Sequence, residues 1–131
     1  MPIEIRILAW GALLGLTHIL IAVLAKTAQY GLRWNVSARD GDQPPPSAQV
    51  ARLMRAQANF FETFPIAVVS LIGVVVAGRT SPETAFFGWM WLFARAAYLP
   101  VYWVGIPVLR TVIFAIAVTG LVDILKVLLV G

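Results

Sequence analysis

The sequence predicts an all-α integral membrane protein: a four-helix bundle with antiparallel, up-and-down connectivity. Three observations predict it. The 131 residues are 60% hydrophobic and only 12% charged, with a mean hydropathy of +0.86, outside the range of ordinary soluble domains. The apolar residues fall in four long blocks, each near or above the roughly 20 residues that span a bilayer at about 1.5 Å per residue. The breaks between blocks carry helix-stop and helix-start residues.

The first helix is expected at about 5–32. Its leader, "MPIEIR", has no net positive charge, and the uncharged run from Ile7 to Ala25 is longer than the roughly 7–15 apolar residues of a secretory signal. It is therefore read as an uncleaved transmembrane helix. A loop at about 34–46 follows, and its "QPPP" cannot continue a helix. Ser47 caps the second helix, expected at about 47–78. "GRTSPE" ends it and starts a third at about 82–104, with Ser81 as cap and Pro82 in the first turn. "GIP" is so short that the fourth helix, about 107–130, must fold back on the third. The whole chain reads as one domain.

Basic residues set the orientation. Lys26, Arg33, Arg39, Arg52 and Arg55 flank the first loop and Arg110 follows the third, against Arg6, Arg79 and Lys126 elsewhere. The positive-inside rule places loops one and three in the cytoplasm. The net charge of +4 is explained by these flanking positions and gives no reason to expect nucleic acid. With no cysteine and one histidine, disulfides, a cysteine nucleophile, a bis-histidine haem and the usual metal sites are excluded. His18, on the face of Gly11, Gly15 and Ala22, is expected to pack and hydrogen-bond to another helix. The "GALLG" around those glycines permits close helix contact, within or between subunits. Asp123 and Lys126, three apart, are expected to pair. Trp34, Trp89 and Trp103 suit the interfacial belts, and Pro65 and Pro100 are expected to kink their helices.

The chemistry points to "RAQANFFETFP" at 55–65. Projected at 100° per residue, Arg52, Arg55, Asn59 and Glu62 share an arc of about 80° on the second helix. Trp91, Arg95, Tyr98 and Tyr102 share a similar arc on the third, and Arg110 and Thr111 open the fourth. A charge at membrane depth costs about 2.5–3.5 kcal/mol even on lenient scales, so such groups face the interior and one another. Two readings follow. Arg55, Glu62 and Arg95 form an ion network that fixes helix register, or the surplus of arginine over glutamate marks a site for an anion.

"RAQANFFETFP", with "ARAAYLPVYWVGIPVLRT" about thirty residues later and "RDGDQPPP" before it, resembles the MAPEG family (membrane-associated proteins in eicosanoid and glutathione metabolism), bacterial members in particular. The resemblance covers nearly the whole chain. It implies a homotrimer in the bacterial cytoplasmic (inner) membrane, binding glutathione between neighbouring subunits near the cytoplasmic face. It also implies that Arg55, Asn59 and Glu62, and Arg95, Tyr98 and Tyr102, bind glutathione, that Arg33 reaches in from the adjacent subunit, and that Arg110 and Thr111 meet the thiol. Arg52, on the same stripe as Arg55, is placed with the binding residues. Two positions depart from the pattern: Ala58 stands where a second arginine is frequent, and Phe114 replaces a tyrosine.

The implied function is that of a glutathione-dependent transferase or peroxidase for lipophilic electrophiles, with glutathione as thiol co-substrate and no metal or haem. A free thiol of pKa about 8.5 is only about 3% thiolate near neutral pH. A cation that lowered it by about 1.5 units would make about half of it thiolate, for about 2 kcal/mol. The departures keep a second reading open, a non-catalytic accessory subunit of a larger membrane complex.

Overall fold

A computed structural model describes all 131 residues. The chain is all-helical: α1 (Ile3–Tyr30), α2 (Leu32–Val36), α3 (Ala48–Val76), α4 (Pro82–Val104) and α5 (Pro107–Val130). Three of these, α1, α3 and α5, are long and apolar enough to cross a membrane. The 23-residue α4 falls short of them in hydropathy, not in length, because its buried stripe is spent on Arg95, Trp91, Tyr98 and Tyr102.

The helix ends follow the local chemistry. Ser47 Oγ accepts from the Val50 N–H at 3.2 Å. At α4 the Thr84 N–H donates to Ser81 Oγ while the Ser81 N–H donates to Thr84 Oγ1, at 3.2 and 2.8 Å, a reciprocal cap that uses threonine in place of the usual acid or amide. Gly105, with φ 87°, ends α4 in the left-handed conformation that glycine alone tolerates cheaply. Pro107 then opens α5. Both α3 and α4 run on through Pro65 and Pro100.

One boundary differs from the expectation. The first helix stops at Tyr30 and not near 32, because Gly31 adopts φ 97°, ψ 164°, and the segment expected as loop begins with the short α2. The Asn35 side-chain amide ties α2 back to Thr27 Oγ1 at 2.7 Å. Beyond it the proline-rich connector is held by α1: Gln29 donates to the Pro45 carbonyl at 3.0 Å and accepts from the Ser47 N–H at 2.8 Å. Tyr30 donates to the Pro44 carbonyl at 2.8 Å.

Helix α4 packs along α5, α1 along α3, and both α3 and α4 bridge the pairs, leaving α1 and α5 out of contact. The main core gathers Ile7, Phe60, Leu71, Val74, Trp91 and Ile124. A smaller one at the other end gathers Leu53, Ala56, Tyr98, Leu99 and Tyr102. Leucines, phenylalanines and Trp10 cover the outside, the distribution suited to lipid as solvent. The "GALLG" glycines serve contacts within this chain: a Cβ on Gly11 would lie 2.8 Å from the Trp91 ring.

At Gly120 the backbones of α4 and α5 come close: a Cβ there would sit 2.8 Å from the Phe87 carbonyl oxygen. A carbonyl in a helix cannot swing aside as a side chain can. Gly120→Ala is expected to destabilise the fold by about 1–3 kcal/mol, read as a lower melting temperature in detergent. An unchanged melting temperature would mean that the two helices separate without cost.

Candidate functional site

Three arginine, tyrosine and backbone elements meet where α4 turns into α5. Arg52 and Arg55 come from the first turns of α3, Tyr102 from the last turn of α4, and Arg110 from the first turn of α5. With Gly105, Ile106 and Pro107 they line a pocket of about 210 Å³. Arg52 Nε donates to the Trp103 carbonyl at 2.9 Å, at the negative end of the α4 dipole. Arg55 Nε donates to the Tyr102 hydroxyl at 3.2 Å, and the Arg110 guanidinium lies 4.8 Å from the centre of the same ring. Tyr102 thus stands between two cations, receiving a hydrogen bond at its oxygen and a charge over its face.

No carboxylate lines this pocket. Three guanidinium groups around one small space repel one another unless an anion joins them, and the partly apolar walls strengthen both effects. The ion network among Arg55, Glu62 and Arg95, the first of the two readings, does not form within the chain. The chain's one ion pair is Lys126–Asp123 at 3.2 Å, as their spacing led one to expect. The acid of the stripe, Glu62, lies at the edge of its arc and is exposed on the outer side of α3.

Arg95 occupies a different place from the one its stripe suggests. It is 1% exposed and absent from the pocket wall. Its guanidinium carbon lies 4.4 Å from the Tyr98 ring centre, 5.4 Å from that of Phe60 and 5.5 Å from that of Phe114. None of its three side-chain nitrogens has a hydrogen-bond acceptor. Aromatic faces, not an anion, enclose this charge, and Phe114 is one of the walls. Tyr98 packs edge-on against Tyr102, ring centres 5.4 Å apart, and so separates Arg95 from the pocket. The cations that converge therefore come from α3 and α5; α4 contributes an aromatic hydroxyl.

The remaining candidates are dispersed. Asn59 is half-buried, and its side-chain oxygen is sealed without a donor. Thr111 is exposed and donates its hydroxyl to the Pro107 carbonyl of its own helix at 3.1 Å. Arg33 is exposed on α2. His18 is buried as expected but not hydrogen-bonded: both ring nitrogens lack partners, and the ring stacks on Phe60 with centres 4.9 Å apart. Sequence reasoning missed the Gly105–Pro107 turn as a pocket wall, though its "GIP" was visible as a tight connection.

A family model described as the MAPEG family matches residues 7–129 of the chain. No curated protein matches it.

Proposed function

Because the chain belongs to the MAPEG family, we propose that it is a membrane-bound, glutathione-dependent transferase or peroxidase acting on lipophilic electrophiles. The observation that carries this reading is the acid-free pocket of Arg52, Arg55, Tyr102 and Arg110 at one end of the helices. Glutathione has two carboxylates, one ammonium and a thiol, and clustered guanidinium groups suit the carboxylates and a thiolate. Arg110 would hold the sulfur as its anion. In conjugation the sulfur attacks the electrophilic carbon, a sulfur–carbon bond forms, the bonding pair departs with the leaving group, and the thiol proton goes to water. With a hydroperoxide the sulfur attacks oxygen, and the O–O bond breaks to give the alcohol and a sulfenic acid. A second glutathione condenses with it to the disulfide, releasing water.

A volume of about 210 Å³ is below the roughly 300–1,000 Å³ of a small-molecule site. It takes one end of the tripeptide only. The remainder would lie against a second copy, and the exposure of Glu62 and Arg33 is consistent with their serving a neighbour's ligand in a homotrimer. The same reading sets the protein in the bacterial inner membrane with loops one and three cytoplasmic, and makes membrane lipids and the lipophilic substrate its other partners.

A second reading, an accessory subunit without catalysis, is favoured by Thr111, whose hydroxyl is spent on Pro107 and lies outside the pocket. Ala58 in place of an arginine points the same way. Thermal unfolding separates the two. Glutathione at about 100 times its dissociation constant should add about 2.7 kcal/mol to stability; an unchanged melting temperature at millimolar glutathione favours the accessory role.

A further inference from the structure

The opposite end of α4 carries a second, unrelated feature. A cleft of about 710 Å³ opens between the starts of α1 and α4, lined by Glu4, Thr80, Ser81, Phe86 and Trp89 among others. Glu4 is 3% exposed. Its Oε1 accepts from the Thr84 hydroxyl at 2.6 Å, but no cation lies within ion-pair distance, since the chain's one pair is Lys126–Asp123. Of the cations at this end, Arg79 is committed to the Val127 and Leu128 carbonyls at 3.2 and 2.7 Å, and the Met1 ammonium lines the same cleft beyond ion-pair distance of Glu4. A carboxylate that is mostly buried, lines the cleft and takes its one hydrogen bond from a neutral hydroxyl has room there for a positive partner.

Trp89 also lines a second groove, about 500 Å³ and almost wholly apolar, where Trp10, Leu13 and Leu14 of α1 face Leu92 and Phe93 of α4. The groove follows about two turns of each helix, about 10 Å. Trp89 lines both spaces: a largely apolar cleft with a carboxylate in its wall at the helix ends, and an almost wholly apolar groove beside it. That is the outline of an amphiphile with a cationic head.

We propose that this joint cleft binds a lipid carrying a primary ammonium headgroup, of the ethanolamine type, with the ammonium on Glu4 and an acyl chain along Trp10, Leu92 and Phe93. Charge selects the lipid. A phosphoglycerol headgroup brings no cation to the carboxylate, and a choline ammonium has no N–H to donate. A charge-assisted hydrogen bond is worth roughly tenfold or more in retention. The site is independent of the thiol reading, and its test uses no thiol.

The experiment is native mass spectrometry of the whole protein released from vesicles of equal ethanolamine, choline and glycerol phospholipids with matched chains. About tenfold enrichment of the ethanolamine lipid is expected. Glu4→Gln should bring that preference close to one while leaving total bound lipid similar. Phe93→Arg should remove bound lipid of every class. Should Glu4→Gln fail to fold, ethanolamine lipids with one, two and three N-methyl groups report on the unaltered protein, and retention should be lost at the third. Equal retention of the three lipids, a preference that survives Glu4→Gln, or retention blind to methylation overturns the assignment. So does Phe93→Arg, if it changes oligomer mass and leaves lipid binding intact; the groove would then be a contact between copies.

Discussion

On the proposed function, Arg110→Ala is expected to lower thiol-conjugating activity by about fifteenfold near neutral pH, with most of that loss returning in alkaline buffer. Arg110 is the pocket cation best placed for this role: it opens α5, is half-buried, and packs its guanidinium over Tyr102. A cation beside a thiol favours the anion, so a thiol bound there would titrate below its ordinary value of about 8.5. If the lowering is about 1.5 units, the thiolate fraction near pH 7 is about one half, and it falls to about 3% when the cation is removed. The sign is definite: the rate rises with pH in both proteins, and the inflection moves from about 7 up to about 8.5 in the variant. The measurement is the pH profile of conjugation at saturating glutathione. A loss of activity with an unmoved inflection would show that Arg110 positions the substrate and does not stabilise the sulfur. Full activity in the variant would remove it from the mechanism.

Arg95→Met gains stability, by about 1–4 kcal/mol, read as a higher melting temperature in detergent. The usual expectation for a buried arginine is the reverse, because removing one member of a buried pair strands the other. Here no carboxylate is stranded, since the chain's one ion pair is Lys126–Asp123, and the Tyr98 ring beside the guanidinium carries only a neutral hydroxyl. What is lost is the attraction of three aromatic faces, about 0.5–2 kcal/mol each. What is recovered is the cost of stripping a cation of water, several kcal/mol even after relaxation. Methionine is flexible enough to fill the space among Phe60, Tyr98 and Phe114. A loss of about 3–5 kcal/mol instead would reveal an acceptor for Arg95 supplied from outside the single chain. The aromatic enclosure would then be one part of a larger polar site.

Much of the helix layout was readable in the residues that punctuate it. Ser47, Ser81, Pro82 and Gly105 act through their own backbone and hydroxyl groups, so their roles need no tertiary knowledge. Gly31 was harder: apolar residues continue past it to Leu32, and nothing local says that this glycine will take a positive φ. In the candidate site, the 100° projection identified the stripes but gave no axial coordinate. Arg95 and Tyr102 share one face of α4, yet seven residues separate them, about 10 Å along the axis. One ends at the mouth, the other is sealed behind Tyr98. The same blindness applies to Thr111. Its neighbour in sequence, Arg110, points into the pocket, and a step of about 100° carries the hydroxyl out of it. Glu4 passed unnoticed because an acid in a helix's first turn has an ordinary explanation in the helix dipole. Only the packing of α4 over it discloses that it is buried.

The Gln29 side chain governs where the connector before α3 ends, not how long it is. Its amide grips Pro45 and Ser47, both downstream of the tip, so residues 38–43 are free to lengthen, shorten or change character without turning α3 on its axis. Divergence in that stretch would say nothing about Arg52 and Arg55 in a related chain. A glutamine at the end of the first helix, facing a serine that starts the next long one, would say a great deal.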